Sequence, residues 1–474
     1  MGKSTLDPRG TQYCSDQTVI KRLRNPLRKV PGPWYAGWTN LPLKLAVISG
    51  RRIHHVHALH RKYGPLVRIA PNEIAVNDLK SFKQIHGISS GFCKDKWYAS
   101  SVILDREGVF NMVDTKAHAS RRRLLARPFS KTYLREHWEG EVRVKVSFAI
   151  SAMSNELHSR GTTDVLKWWT LMASDISSQL MFGDSFHTLE HEYSKGKWYR
   201  KRALNSWGRL PPSSHPSFQG AFGNDMWLLD YGKAAVRNMK AAGGGKNVFA
   251  NIMAEAEKGE SIDDLDIQVE ATNLIVAGTD TTAITLTYLV WAVMSHTQVR
   301  RQLEEEVRAL SEDYKDVDLE RLPYLNAVLD ETLRLYGAAP GALPRAVPPS
   351  GATLNDCFLP GGTTVTTQSY SLHRDPNLFP SPEILMPERW TSKDQPYSIS
   401  ENGRAAYSPF GAGSRTCLGI HLAYLELRLA AVEFFRNVSH EAVLAPSATD
   451  ACMEQENFFL IAPAGHKCEI ALKQ

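Results

Sequence analysis

Several things that would place this chain in an obvious class are scarce or missing. Its six cysteines (Cys14, Cys93, Cys357, Cys417, Cys452, Cys468) are scattered, with no CxxC pair and no regular spacing. That excludes a disulfide scaffold and a zinc site of ordinary spacing, and it suits a reducing compartment. The first 30 residues contain no apolar run, so no signal peptide is visible, and the Met1-Gly2 start has Leu6 where a myristoylation site needs Ser or Thr. No Gly-rich fingerprint for a flavin or nicotinamide nucleotide occurs. There is also no Ser/Gly linker, internal repeat or low-complexity run, although 474 residues would by length suggest about two to four domains. The surplus of charge is small, 56 Lys and Arg against 50 Asp and Glu, for a net of +6. Most of it sits in residues 1–31, where seven Lys or Arg (Lys3, Arg9, Lys21, Arg22, Arg24, Arg28, Lys29) face only Asp7 and Asp16. The rest is near neutral, which gives little support to nucleic-acid binding. A basic arm of this kind faces an anionic membrane surface or is a solvated tail.

What is present begins with an ordinary core composition, 43% hydrophobic and 22% charged. One segment, residues 273–294, is long and apolar enough to be tested as a membrane span. Asp280 inside it would cost roughly 2.5–3.5 kcal/mol in hydrocarbon, and five threonines weaken the case further. The segment therefore reads as a buried core helix.

The stretch with the most chemistry is Phe410-Gly411-Ala412-Gly413-Ser414-Arg415-Thr416-Cys417-Leu418-Gly419. Gly411, Gly413 and Gly419 let the backbone take positive φ and lie against a flat group. The apolar positions Leu422, Leu425, Leu429 and Val432 follow a helical period, which puts Cys417 at a helix N-terminus where a thiolate is stabilised. Arg415 has the fork geometry to grip a carboxylate, and Phe410 would keep water from the sulfur. Taken alone, a buried cysteine in a Gly-rich turn is the simpler account. Five agreeing positions favour a cradle that offers one thiolate to a haem iron, as metal ligand and electron donor.

The pattern Phe-x-x-Gly-x-Arg-x-Cys-x-Gly resembles the haem-binding signature of the cytochrome P450 family, the haem-thiolate monooxygenases. Further similarities extend from about Pro31 to the C-terminus. The resemblance implies a mainly α fold with a small β region and a long central helix crossing the haem. It also implies a single domain over 31–474, after a basic N-terminal arm (1–30) with no transmembrane helix. Eukaryotic relatives carry an anchor helix before a proline-rich hinge. Here the hinge Val30-Pro31-Gly32-Pro33 is present but polar sequence precedes it. That leads to the expectation of a soluble or peripheral protein, in the cytosol or on the cytoplasmic face of the endoplasmic reticulum, or of a sequence that starts downstream of its true beginning.

Other motifs follow the family in chain order. Leu66–Ile69 and Glu73–Val76 alternate around Ala70-Pro71-Asn72 and predict a β-hairpin. Residues 116–127 predict a basic helix with His118 and Arg122 on one face, similar to the Trp-x-x-x-Arg that contacts haem propionates in relatives. The simpler alternative is that Arg121, Arg122 and Arg123 form a solvated face; Arg122 is the better candidate for a contact, ahead of His118. Residues 193–222, where relatives roof the substrate pocket, are basic, rich in Ser and Pro, and show no apolar period. Ala277-Gly278-Thr279-Asp280-Thr281-Thr282 is similar to the oxygen-activation sequence. Gly278 would let the helix pass close to the haem, the hydroxyls of Thr281 and Thr282 would open it locally, and Asp280 and Thr281 would deliver protons. Glu331 and Arg334 resemble Glu-x-x-Arg, with Arg389 of Pro387-Glu388-Arg389-Trp390 as the third member of a buried structural network. Arg345 and His373 lie where relatives place propionate contacts or haem-side strands, with Arg345 the better candidate for a contact. At the C-terminus, Phe458–Gly465 and Cys468–Leu472 predict a strand–turn–strand.

The resemblance thus implies a monooxygenase acting on a small apolar substrate with O2. Electrons would come from NADPH through a partner, NADPH-cytochrome P450 reductase. The likeness is to fungal members that oxidise polyketides, terpenoids or alkaloids. An O2-independent haem-thiolate isomerase or dehydratase, or a degenerate haem-binding protein, stays open at this stage. The Asp280-Thr281 pair argues against the isomerase.

Overall fold

The segment with the strongest apolar bias does form the structural axis. A computed structural model describes residues 25–100, 106–194, 233, 236–237, 247–249, 262–391 and 395–473. In it, one helix runs unbroken from Asp264 to Ser295. Its Asp263 cap accepts a hydrogen bond from the Asp266 N–H, and acids fill the first turn, where the helix dipole favours them. Among the described residues it is the one helix long and apolar enough to cross a membrane, and more than half of its apolar window is buried inside the fold. It packs chiefly on the Val165–Phe182 helix. The Glu139–Arg160, Pro323–Tyr336 and Ile420–Asn437 helices complete the bundle.

Strands gather at the edges of this bundle. β1 (Leu66–Ala70) and β2 (Glu73–Val76) form the predicted antiparallel hairpin. Later strands extend it: β3 (Cys93–Lys94), β5 (Arg345–Ala346) and β8 (Thr364–Thr367) give the order β1-β2-β8-β5-β3. A separate hairpin is formed by β6 (Ala352–Leu354) and β7 (Cys357–Leu359).

The C-terminal expectation needs correction. β11 (Ile461–Pro463) pairs with β10 (Gln455–Asn457), so the turn is Phe458–Leu460. β12 (Glu469–Leu472) leaves for another sheet, between β4 (Thr162–Asp164) and β9 (Ala442–Leu444). The cause is local. After Pro463 the N–H groups of Ala464 and Gly465 bond Glu454 and Cys452, which carries the chain away from a tight return. Nothing in the spacing of Phe458–Leu472 distinguishes these pairings.

The basic arm up to residue 24 and, of the 193–222 stretch, everything after Ser194 lie outside the described residues.

Candidate functional site

The Cys417 loop is shaped by two left-handed glycines, Gly411 at φ 73° and Gly413 at φ 67°. At Gly413 the need is also steric, because a Cβ there would lie 1.9 Å from the carbonyl oxygen of His86. The Cys417 N–H donates to the Phe410 carbonyl at 2.8 Å and closes the loop. Gly419 differs from expectation: its φ is −83°, and it acts by donating its N–H to the Cys417 sulfur at the start of the Ile420–Asn437 helix. Burial pushes the Cys417 thiol up, and the Gly419 N–H and the Arg122 guanidinium oppose it. Yet Cys417 is accessible, so its side chain stands on the wall of an internal space and not in packed core.

Around that wall the fold collects positive charge. Arg122 stands near Cys417. Arg121, the residue before it, points elsewhere and pairs with Asp266 and Glu270 at 3.0 Å each, while Arg123 is exposed. The basic helix, found at Thr115–Ala126, is therefore not simply a solvated face. Arg415 donates to the carbonyls of Met112 (2.8 Å) and Val113 (3.3 Å). Buried Arg345, on β5, lies directly opposite Lys94 on β3. Like charges in that register repel.

Lys94 was not recognisable from sequence. Its ammonium donates to the Phe110 carbonyl. Burial, then Arg415, Arg345 and Arg122, push its pKa down to about 6. Burial and the same cations, Arg415 and Lys94 first, push His118 down to about 3. Among the described residues no carboxylate enters the balance of Lys94. Three guanidinium groups, a lysine amine that a neighbouring carboxylate would protonate, and a neutral imidazole beside one thiol fit a flat group that carries two carboxylates and an iron, which is haem.

This cluster carries a prediction. In the haem-free chain Lys94 is held far below its unfolded pKa, so its contribution to stability worsens as pH falls from about 10 toward 6. Lys94→Met should raise the unfolding midpoint of the haem-free protein at pH 7 and speed the loss of haem from the loaded protein to apomyoglobin. Equal haem loss in both proteins would remove Lys94 from the cluster.

The central helix presents its motif differently from the sequence expectation. It stays helical through 277–282. Thr281 Oγ1 donates to the Ala277 carbonyl at 2.6 Å, four residues back, a bond that adds to the helix ladder without breaking it. Gly278 does not face the cradle: a Cβ there would lie 2.4 Å from Ser177 Oγ, so its role is close packing on the Val165–Phe182 helix. Ala277 is the exposed residue of that turn. Burial raises Asp280 to a pKa of about 7, and among the described residues no charge opposes it. Thr282 faces away and meets Glu426, a fully buried acid on the Ile420–Asn437 helix whose pKa burial raises to about 8. The signal for Glu426 was an acid inside the apolar run Leu425–Val432.

Glu331, Arg334 and Arg389 come together as expected. Glu331 accepts from Arg334 at 2.8 Å through both oxygens and from Arg389 at 3.0 Å. Trp390 does more than replace a phenylalanine: its indole N–H donates to Glu331 at 2.9 Å. His373 is not beside the cations. Its Nδ1 meets the Arg334 carbonyl, and its Nε2 accepts from the Ser408 N–H, which ties this network to the cysteine loop.

The family model for cytochrome P450 matches residues 31–207 and 234–468. The chain belongs to the cytochrome P450 family. Among curated relatives, cytochrome P450 monooxygenase tazI of Aspergillus terreus is 40% identical over 95% of both chains. Cytochrome P450 monooxygenase stcB of Emericella nidulans is 38% identical over 98% of this chain and 92% of its own. Methylphloroacetophenone oxidase of Cladonia uncialis is 32% identical over 78% and 89%. A solved structure, the haem domain of cytochrome P450DA, superposes with a TM-score of 0.75 at 19% identity, covering 94% of this chain and 97% of that one. The fold class expected from the sequence is thereby shown. So is the likeness to fungal secondary-metabolism members, and this P450 is a haem-dependent monooxygenase.

Proposed function

We propose that this P450 hydroxylates, desaturates or couples a small apolar substrate in a secondary-metabolite pathway, with electrons from NADPH passed on by a separate reductase. Haem, held through Cys417, supplies oxygen binding and O–O cleavage. The chain's own residues do the rest. Arg122, Arg345, Arg415 and Lys94, with His118 beside them, hold the carboxylates and fix the orientation of the group. Phe410 and the Gly411–Gly419 backbone enclose the sulfur and tune its hydrogen bonding. Glu331, Arg334 and Arg389 brace that loop from behind.

Asp280 and Thr281 manage protons, and the observation that supports this role is the Asp280 carboxyl held near pH 7 in the same helical turn as the half-buried Thr281 hydroxyl. Below about pH 7 Asp280 carries a proton to give, and above it the proton is lost. Product formed per NADPH should therefore fall as pH rises through 7, and Asp280→Asn should flatten that profile. Thr281→Ala should release hydrogen peroxide and lower product per NADPH by about tenfold or more. Unchanged coupling in Thr281→Ala would exclude the role.

A peripheral membrane location is supported by the apolar surface near the hinge. Trp34 is 79% exposed, and Leu41, Leu45 and Ile48 are each more than half exposed on one side of the Leu41–Ile48 helix.

A further inference from the structure

Asp330 precedes Glu331 on the Pro323–Tyr336 helix but has partners of its own, and they are two phenols. Tyr407 Oη donates to Asp330 Oδ1 at 3.1 Å, and Tyr424 Oη donates to the same oxygen at 2.8 Å. Tyr407 follows the Glu401–Ala406 helix and leads into the cysteine loop, while Tyr424 lies on the Ile420–Asn437 helix behind that loop. Three elements thus meet at one carboxylate oxygen. Burial raises Asp330 above the ordinary carboxylate range, and the two phenols and then Arg404 oppose it.

Aromatic rings connect this carboxylate to the cysteine loop. Phe410, whose carbonyl accepts the Cys417 N–H, has its ring centroid 5.5 Å from that of Tyr424. Beyond Asp330, Tyr407 stands 4.7 Å from Trp390, centroid to centroid. Three tyrosines elsewhere lack one half of this arrangement. Tyr288 lies flat on Tyr336 with centroids 5.0 Å apart, but its buried hydroxyl has no hydrogen-bond partner among the described residues. Tyr314 and Tyr324 donate to Glu433 and Glu388, and among the described residues neither ring packs on another ring.

We propose that Tyr424 and Tyr407 are a redox outlet for the cysteine loop: with no substrate in place, one electron passes from the phenol pair to the oxidised haem, and the phenolic proton passes to Asp330. The inference goes beyond the monooxygenase reading and rests on its haem. A phenol that loses an electron becomes strongly acidic, so its oxidation near neutral pH needs a base within hydrogen-bond reach. Asp330 is that base. The products are a neutral phenoxyl radical and a carboxylic acid. One electron from the reductant of the same reaction, with the proton returned by Asp330, restores both groups. The loop is thereby protected, because a cysteine beside an unspent oxidant is otherwise carried toward sulfenic and sulfinic acid.

The test mixes the haem-loaded, full-length protein with hydrogen peroxide in the absence of substrate, freezes it within milliseconds and reads electron paramagnetic resonance. Wild type should give a tyrosyl signal that narrows when the protein is made with ring-deuterated tyrosine. The double variant Tyr407→Phe, Tyr424→Phe should lose the signal, and its Soret band should bleach faster under peroxide. Asp330→Asn keeps both phenols and removes the base, so it should lose most of the signal. Tyr288→Phe and Tyr324→Phe should keep it, and all of these proteins should keep the red-shifted band under carbon monoxide. A tyrosyl signal that survives in the double variant or is unchanged in Asp330→Asn overturns the proposal. So does a wild type with the red-shifted band and no tyrosyl signal, since the phenols then only anchor the loop. A wild type without the band overturns the haem-thiolate reading, and the outlet falls with it.

Discussion

Cys417→Ala should abolish oxygenase activity and, in the reduced protein under carbon monoxide, remove the strongly red-shifted Soret band that a thiolate ligand gives. The size of the effect follows from what the loop does. Its left-handed glycines, the Cys417 N–H to Phe410 bond and the Gly419 N–H to sulfur contact converge on one atom. No other described cysteine stands in this loop: Cys468 is buried in β-sheet surroundings where nearby acids raise it further, Cys93 and Cys357 lie on other strands, and Cys452 sits in the turn before β10, where its carbonyl takes the Gly465 N–H. Haem retention should fall less than activity, because the cation cluster does not depend on the sulfur. An active Cys417→Ala protein, or one that keeps the red-shifted band, would remove the central assignment.

The second large effect concerns folding. Glu331 is fully buried between two fully buried guanidinium groups. Burial works against its charge, and Arg334 and Arg389 overcome this, holding the carboxyl below its usual range. The arginines are satisfied elsewhere too, Arg334 by the carbonyls of His373 and Pro382 and Arg389 by that of Pro380. Removing the carboxylate leaves two buried cations uncompensated. Breaking such a pair costs about 3–5 kcal/mol, a large part of the 5–15 kcal/mol that holds a typical domain folded. Glu331→Gln keeps the shape and loses the charge, so it should give little folded protein and a much lower unfolding midpoint by circular dichroism. Trp390→Phe, which removes one neutral donor, should cost about 1 kcal/mol. A Glu331→Gln protein that unfolds at the wild-type temperature would show that the network does not brace the fold.

Legibility in the sequence followed the range of the interactions. The cysteine loop, the helix behind it and the β1–β2 hairpin are set by neighbours within a few residues, so spacing and turn chemistry exposed them. The pairing of Glu331 with Arg389 is long-range, and it was found only through the family motif. Lys94 carries no local signal at all. It sits in a two-residue strand, and its meaning comes from Arg345, brought opposite it by the sheet. Gly278 misled for the same reason, since only packing shows that it faces Ser177 and not the cradle.

By itself, then, the sequence determined the helical class and pointed to Cys417 as the proposed iron ligand and to Asp280 and Thr281 as the proposed proton-handling pair, because a thiolate loop and a helical stripe are written in adjacent residues. Only the tertiary structure decided which cations gather near Cys417 and which strands the C-terminus joins. Those are properties of burial and cross-chain register, and a one-residue shift in register would turn each of these side chains to the other face.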